Sequence, residues 1–385
     1  MPHADNFCYT AGHTGGCCRD CDAVTCCFIF FRMPWFMNPG AALPQSSITA
    51  DGLSAVGQPW QRDLSRAIRT SAELFKRLEL QPEQVVGGLA DEELQGFPVL
   101  VPESFLARMR PGDPTDPLLL QVLPRQEERE TVDGFVTDAV GDLQARRAPG
   151  ILQKYHGRVL MIAAGACAVH CRYCFRRDYP YSAEPHRLDD WELSLRAIEG
   201  DGDVQEVILS GGDPLMLNDQ RLEQLCRRIE QIPQIERVRI HTRLPIVLPS
   251  RVTESLTGLL TGLRPQVVVV VHANHPAEIQ GDCRDALRRL VAAGLPVLNQ
   301  AVLLRGVNDS LSALEGLSRS LINVGVMPYY LHQLDRVAGT AHFEVSEELG
   351  RRLITELQAR LPGYAVPKYV REIAGDTGKT PVFSG

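Results

Sequence analysis

Six short apolar runs recur from residue 158 onward, and segments with helical periodicity separate each run from the next. The runs cover residues 158–164, 206–209, 237–240, 266–271, 296–303 and 325–331. Apolar runs of this length are typical of buried strands in a parallel sheet. Strands that alternate with helices join into such a sheet through right-handed crossovers. The repeat therefore predicts an α/β fold, either an open sheet or a barrel.

Polar residues follow directly after these runs, and their placement distinguishes the two architectures. They are three cysteines within 167–174, SGGD at 210–213, HTR at 241–243, HAN at 272–274, NQ at 299–300 and HQLD at 332–335. Active sites of α/β barrels lie where the carboxyl ends of the strands meet. Because every run leads into one set of polar residues, the sequence predicts a barrel or partial barrel with a single central site.

Helix and turn signals divide the chain into four predicted parts. Residues 60–78 alternate apolar and polar side chains at helical spacing, with Ala67, Leu74 and Leu78 among the candidates for a buried face. Helices are also expected after Asn218 and Ser346, since both residue types cap helix starts. The predicted parts are an extension at 1–57, a helical N-terminal subdomain at 58–150, the barrel at 151–345 and a C-terminal segment at 346–385.

The first 57 residues lack helical or strand periodicity, and six of the eleven cysteines lie among the first 27 of them. Cys18 and Cys21 have the spacing of a zinc-binding pair, whereas Cys26 and Cys27 are adjacent and make a poor second pair. We therefore expect a disordered or artefactual extension in this region.

Composition excludes several classes of protein. Hydrophobic residues make up 44% and charged residues 23% of the 385 residues, which is enough for a substantial core. A net charge of −7 argues against nucleic acid as a partner. The longest aliphatic run, at 267–271, is far too short to span a bilayer, which takes about 20 apolar residues. We expect a cytoplasmic protein with reduced cysteines and no membrane partner, and a homo-oligomer is compatible with the sequence.

Cys167, Cys171 and Cys174 place three thiols within eight positions, directly after the first apolar run. A structural zinc ion normally takes four ligands and a disulfide takes two. A [4Fe–4S] cluster on three cysteines instead keeps one iron free for a small ligand. The alternative is a zinc site completed by a remote ligand such as His170. The spacing C-x3-C-x2-C resembles that of radical S-adenosylmethionine enzymes, whose usual aromatic position matches Tyr173.

The turn at 210–213 supports the same resemblance, because two glycines let the backbone approach a ligand closely. In the radical S-adenosylmethionine fold, a partial (β/α)6 barrel, this turn holds the amino group of S-adenosylmethionine. The residues of this turn expected to contact that cofactor are Ser210, Gly211, Gly212 and Asp213. We expect His272 and Gln300, which follow later strands, to contact a cofactor as well.

From about residue 95 to residue 381 the chain resembles the lysine 2,3-aminomutase family. The segments that carry the resemblance are LQKYHGRVL, CAVHCRYCFRRDYPY, SGGDPL, RIHTRLPIVLPSR, LLRGVND, MPYYLHQLD and GKTPV. Within the family, CRYCFRR, VMPYYLH and GYAVPKYVREIAG are similar to the branch that makes (R)-β-lysine for modification of elongation factor P. The resemblance covers about three-quarters of the chain and omits residues 1–57.

The resemblance implies a second cofactor, pyridoxal phosphate, bound covalently by a lysine in a C-terminal glycine-rich loop. Lys379 in GDTGKTPV matches that lysine, although Asp376 and Thr377 interrupt the run of glycines seen in clostridial-type enzymes. The phosphate needs cations, and the resemblance places Arg158 and Lys154 there. Tyr155 is expected near the cofactor ring.

The resemblance also implies how a diamino acid is bound. Arg176 matches the arginine that binds the substrate carboxylate, a role that suits its forked guanidinium. Asp335 and Glu372 match the two carboxylates that bind the distant ammonium, with glutamate replacing the family's aspartate at 372. The implied substrate is therefore L-lysine.

The implied activity is that of a lysine 2,3-aminomutase, which makes (R)-β-lysine. A radical derived from S-adenosylmethionine removes a hydrogen from the substrate β-carbon, and the amino group moves to that carbon. The reaction needs an electron donor such as flavodoxin or ferredoxin, and the product is expected to enter the elongation factor P modification pathway. Two alternatives remain open: an aminomutase of glutamate or arginine, and a non-catalytic zinc-binding accessory protein of the translation machinery.

Overall fold

The computed structural model describes residues 58–81, 97–185 and 188–382, so the predicted extension at 1–57 lies outside the described residues. Ten strands within this part of the chain form one sheet in chain order. They are β1 (Arg146–Ala148), β2 (Ile151–Tyr155), β3 (Arg158–Ala164), β4 (Glu206–Gly211), β5 (Arg237–Thr242), β6 (Gln266–Val271), β7 (Val297–Val302), β8 (Met327–His332), β9 (Lys368–Arg371) and β10 (Thr380–Pro381). The six predicted runs are strands β3 to β8, which pair side by side in parallel.

Both ends of the sheet carry strands that the periodicity does not predict. β1 and β2 pair antiparallel next to β3, and at the other end β10 pairs antiparallel with β9. These four strands have two to five residues each, too few for a clear alternation of buried and exposed side chains. Among the described residues no pairing joins β1 to β10, so the barrel is partial.

In the described residues, three helices precede the sheet: α1 (Pro59–Ser65), α2 (Ser71–Arg77) and α3 (Glu103–Leu106). Further helices separate the parallel strands, as the alternating pattern predicts. They are α4 (Leu188–Glu199), α5 (Asp219–Glu230), α6 (Leu244–Val247), α7 (Glu254–Thr261), α8 (Gly281–Ala292), α9 (Leu311–Ile322) and α10 (Glu347–Gln358). The two predicted caps are confirmed: the side chain of Asn218 accepts a hydrogen bond from Arg221 N, and that of Ser346 accepts one from Leu349 N.

The prediction of one helix over residues 60–78 is wrong, because α1 and α2 are separate helices. Between them Ile68 is extended and forms an isolated antiparallel bridge with Val101. The Ile68 side chain is fully buried there, and Thr70 then caps the start of α2 by accepting a hydrogen bond from Glu73 N. Burial and pairing of one β-branched residue thus outweigh helical periodicity.

A continuous apolar core joins the N-terminal helices to the sheet. Trp60 of α1, Leu74 of α2 and Phe105 of α3 belong to the same buried cluster as the strand residues Val159 and Met161. The predicted buried residues Ala67, Leu74 and Leu78 are buried. No helix in the described ranges is long and apolar enough to cross a membrane.

Candidate active site

A cavity of about 360 Å³ opens at the carboxyl ends of the parallel strands, where the sequence predicts the site. All the residues predicted for the site line this cavity. They are Cys167, Cys171, Cys174, Ser210, Gly211, Gly212, Asp213, His272, Gln300, Lys154, Tyr155, Arg158, Arg176, Asp335, Glu372 and Lys379. The structure therefore brings together residues that are up to 225 positions apart, from Lys154 to Lys379.

The three cysteines lie on the loop that follows β3, and the surroundings of Cys167 and Cys174 oppose ionisation of these two thiols. Burial, followed by the negative charges of neighbouring thiolates, raises the pKa of Cys167 well above its usual value. The same causes raise the pKa of Cys174 to about 11. Three thiols that face one cavity on the loop directly after β3 fit an iron–sulfur cluster, which takes cysteine thiolates as ligands.

The zinc alternative gains no support from the structure. His170, its remote fourth ligand, has its Nδ1 atom 2.8 Å from Pro98 O, and its ring stacks on Phe97. Among the described residues no group of three or more histidine, cysteine or acidic side chains is arranged to hold a single metal ion. A tetrahedral zinc site requires such a group.

The glycine turn after β4 packs directly on the cysteine loop. Gly212 N donates a hydrogen bond to Ala164 O at 2.7 Å, and Asp213 N donates one to Ala166 O at 2.8 Å. Any Cβ atom at Gly212 would lie 2.4 Å from Ala166 O. Only glycine fits so close an approach, so the turn and the cysteine loop form one rigid wall of the cavity.

Asp213 stabilises the glycine turn through hydrogen bonds to the end of β5. It is 4% exposed and accepts hydrogen bonds from Thr242 Oγ1 at 2.8 Å and from Arg243 N at 2.6 Å. Burial raises its pKa to about 6, while these donors act in the opposite direction. Since its oxygens accept hydrogen bonds within the protein, Asp213 holds the turn in place.

His272 and Tyr173 form a second, neutral part of the wall. His272 Nε2 lies 3.2 Å from the Tyr173 hydroxyl, which also accepts a hydrogen bond from Asn274 Nδ2 at 2.7 Å. Burial, followed by the nearby charge of Arg243, lowers the pKa of His272 to about 3. The imidazole is therefore neutral at physiological pH.

Three cations of the cavity are engaged by acidic side chains. Arg176 Nε donates to Asp142 Oδ2 at 2.6 Å, and Lys154 Nζ lies 2.7 Å from Asp142 Oδ1. Lys154 Nζ is also 3.3 Å from Glu372 Oε1, and Lys379 Nζ is 2.5 Å from Glu372 Oε2. Asp142 and Glu372 therefore link the predicted substrate arginine to both lysines in one ionic network.

Arg158 differs from the other cations of the cavity. Its guanidinium lies over the Tyr155 ring, 4.7 Å from the ring centre. Lys154, Arg176, Arg239, Arg243 and Lys379 all have carboxylate partners, whereas in the described part of the chain Arg158 has none. A cation without a partner, held against an aromatic ring at the cavity wall, is suited to bind an anionic ligand.

Asp335 is the corresponding exception among the acids. Asp142, Asp213 and Glu372 have partners, whereas the Asp335 carboxyl makes no hydrogen bond or ion pair with any described side chain. Burial, followed by repulsion from Glu372, raises its pKa to about 7. A carboxyl whose ionised form is disfavoured in this way is stabilised by an incoming cation.

Asp142 and Arg243 are among the residues of the site to which the sequence gives no role. Asp142 lies in a segment without periodicity, and its sequence neighbours carry no signal that would reveal it. Arg243 belongs to the HTR segment, one of the polar segments that follow the predicted strands, but the sequence indicates no specific role for it. In the structure its Nη1 donates to Cys171 Sγ at 2.6 Å.

Comparison with known proteins agrees with this geometry. The family model of the Radical SAM superfamily matches residues 161–314. L-lysine 2,3-aminomutase of Escherichia coli (strain K12) is 43% identical over 326 residues, which are 84% of this chain and 94% of that protein. The enzyme of the same name from Haemophilus influenzae is 43% identical over 84% of this chain and 95% of its own, and that from Clostridium subterminale is 33% identical over 84% and 77%. The chain belongs to the L-lysine 2,3-aminomutase family.

Proposed function

We propose that this protein is an L-lysine 2,3-aminomutase, which moves the α-amino group of L-lysine to the β-carbon. The observation that carries the proposal is Asp335, a half-buried carboxyl without a partner among the described residues, in a cavity that also contains three thiols and Lys379. Such a carboxyl favours a ligand with a positive charge at its far end. Lysine has this charge, because its ammonium group remains protonated below pH about 10.

The cofactors of the family are a [4Fe–4S] cluster, S-adenosylmethionine and pyridoxal phosphate. When bound, they supply one electron, a hydrogen-abstracting radical and a carrier for the migrating amino group. We assign the cluster to Cys167, Cys171 and Cys174, a role supported by their shared wall of the cavity. We assign S-adenosylmethionine to the adjoining turn, with His272 and Gln300 beside it. The turn residues in this role are Ser210, Gly211, Gly212 and Asp213.

We assign pyridoxal phosphate to the part of the cavity that Lys379 and Arg158 line. Lys379 would hold it covalently, and Arg158 would bind its phosphate, a role supported by the absence of any carboxylate partner among the described residues. Lys154 is engaged by Val140 O at 2.7 Å as well as by Asp142 and Glu372. Its part in binding phosphate is therefore to add positive charge nearby rather than to supply a free ammonium.

Arg176 would bind the substrate carboxylate. It is buried, and hydrogen bonds from its Nε to Asp142 and from its Nη1 to Ser210 Oγ fix its orientation. A guanidinium that is oriented before binding loses little freedom when it binds a carboxylate. At the other end Asp335 would bind the ammonium, with Glu372 nearby but already shared between two lysines.

The same charges argue against glutamate, one of the two alternative amino acids. Glutamate would bring a second carboxylate towards Asp335 and Glu372, and like charges in a pocket shielded from water repel strongly. Arginine carries a cation as lysine does, so the turnover experiment rather than charge separates these two.

Turnover by the reconstituted enzyme tests this proposal. Protein loaded anaerobically with iron, sulfide and pyridoxal phosphate receives S-adenosylmethionine and dithionite, and then lysine, glutamate or arginine in separate reactions. We expect lysine to react at least 100-fold faster than glutamate, the ratio for about 2.7 kcal/mol of discrimination. Equal rates would contradict the substrate assignment, and a colourless zinc-loaded protein would contradict the whole proposal.

We further propose that the product is (R)-β-lysine and that it is used to modify elongation factor P. Support comes from the segments VMPYYLH and GYAVPKYVREIAG, which are similar to that branch of the family. A flavodoxin or ferredoxin would supply the electron. The proposal places the protein in the cytoplasm, where reducing conditions keep thiols free for iron.

A further inference from the structure

Arg243 lies at the end of β5, is 6% exposed and contacts the cysteine loop from inside the fold. Its Nη1 donates a hydrogen bond to Cys171 Sγ at 2.6 Å. Its Nη2 donates to Gln121 Oε1 at 2.6 Å and lies 3.2 Å from Glu278 Oε2. One guanidinium therefore joins a predicted cluster ligand to a buried carboxylate.

The ion pair between Arg243 and Glu278 is not explained by stability alone. The side chains are 7% and 0% exposed, and a buried ion pair contributes no more to folding than apolar residues of similar size. Glu278 is held by the backbone amides of Asn274 and His275, at 2.8 and 3.0 Å. It is thus a fixed anchor, which orients the guanidinium so that Nη1 points at the sulfur.

The Arg243 backbone is fixed as well. Its amide donates to Asp213 Oδ2 at 2.6 Å, and Asp213 belongs to the glycine turn that packs on the cysteine loop. The guanidinium lies 5.5 Å from the ring centres of both Phe105 and Tyr173. The backbone amide and both terminal nitrogens of the guanidinium are therefore held in place before any cofactor binds.

We propose that Arg243 is a positioning residue of the iron–sulfur site, which fixes the Cys171 sulfur and makes the bound cluster easier to reduce. This inference rests on the proposed function, since it requires that the three cysteines hold a cluster. Hydrogen bonds to the sulfurs and the net charge nearby set the potential of such clusters. A fixed donor and positive charge at one sulfur favour the state that has gained an electron.

The step is the addition of one electron. In the test it comes from dithionite, which is oxidised to sulfite, and the site gains no atom and loses none. Loss of the Arg243 hydrogen bond to the Cys171 sulfur, together with loss of the positive charge, is expected to lower the equilibrium constant for reduction of the cluster about tenfold. For one electron this equals about 59 mV towards more negative potential.

The experiment is a dithionite titration, followed by electron paramagnetic resonance, of the reconstituted protein without lysine. Arg243→Met is compared with wild type and with Arg243→Lys, which keeps the charge and should shift less. The matched control is Arg251→Lys. Arg251 is fully buried and paired with Asp219 at 2.8 Å, but it donates to Leu215 O and Leu217 O rather than to a thiol. We expect no shift in that control.

Arg243→Met leaves Glu278 without its cation, so the double variant Arg243→Met, Glu278→Gln provides the measurement if the single variant does not fold. A variant that keeps the wild-type iron content and the wild-type potential would overturn the inference. A wild-type protein that binds no cluster would overturn both this inference and the proposed function. The inference is supported by a drop of about tenfold in the equilibrium constant for reduction in Arg243→Met, a smaller drop in Arg243→Lys and none in Arg251→Lys.

Discussion

Replacing Asp335 with asparagine should weaken lysine binding while leaving both cofactors in place. The substitution keeps the size of the side chain but removes the negative charge that we assign to the substrate ammonium. Asp335 has no partner among the described residues, so its loss leaves no other protein group unpaired. The effect should therefore fall on the ligand alone.

The size of the effect follows from the burial of the site. Truncating one partner of a buried hydrogen-bonded charge pair costs about 2–5 kcal/mol. Glu372 remains nearby and compensates in part, so we expect a loss of about 3 kcal/mol, which is roughly 100-fold in the Kd of lysine. At pH 7 half of the empty sites already carry a proton, because the pKa of Asp335 is about 7. This lowers the wild-type affinity only about twofold.

The assay compares lysine with norleucine by equilibrium binding to the cofactor-loaded protein. Norleucine has the same α-amino acid group and a side chain of similar length, but no ammonium at its end. The Asp335→Asn variant should bind norleucine as the wild type does and should lose its preference for lysine. An unchanged ratio of the two Kd values would refute the assignment of the ammonium to Asp335.

The pH dependence of lysine binding provides a second test of the Asp335 carboxyl. Lysine binding requires the ionised carboxylate, so the wild-type affinity for lysine relative to norleucine should rise about tenfold from pH 6 to pH 8. The variant should lose this rise. The effect of Asp335 on the stability of the empty protein has the opposite sign. Its pKa in the folded state lies above the unfolded value, so its ionisation lowers the free energy of unfolding as pH rises from about 4 to 7. The empty variant should therefore melt no lower than wild type at pH 8.

Three further substitutions separate the parts of the site. Cys171→Ala should abolish iron binding but leave pyridoxal phosphate on Lys379, as measured by iron analysis and by borohydride trapping with peptide mapping. Lys379→Ala should keep the cluster and lose the trapped cofactor; a trapped peptide from another lysine would contradict our assignment. Asp142→Asn should release Arg176 and Lys154 together, raising the KM for lysine and the Kd for pyridoxal phosphate about tenfold each. Normal values of both constants would show that Asp142 has no positioning role.

The barrel could be predicted from sequence because some of its strands, such as β4, are buried along their whole length and therefore appear as apolar runs. Val267 to Val271 in β6 is the clearest case. Short edge strands such as β10 carry no such signal, since two residues cannot display a pattern. The break at Ile68 depends on a partner, Val101, that lies 33 positions away, and local periodicity contains no information about it.

The residues of the cavity also divide into those that the sequence predicts and those that it does not. Cys167 and Lys379 belong to motifs whose residue types and spacing reflect their chemistry, so sequence resemblance could identify them. Asp142 and Arg243 act through contacts with other side chains, Arg176 and Cys171, and their partners become known only when the chain is folded. The state of Asp335 is also a property of the fold, because burial and the neighbouring Glu372 together decide whether it has a free charge.

The most direct test of the central claim follows the nitrogen itself. The reconstituted protein receives S-adenosylmethionine, dithionite and L-lysine labelled with ¹⁵N at the α-amino group and with ¹³C at the β-carbon. Our account predicts a product in which nuclear magnetic resonance detects ¹⁵N bonded directly to ¹³C, at the same enrichment when unlabelled ammonia is present. Protein that carries its full complement of iron and pyridoxal phosphate, yet gives no such bond or gives one diluted by the added ammonia, would contradict an intramolecular 2,3-amino shift.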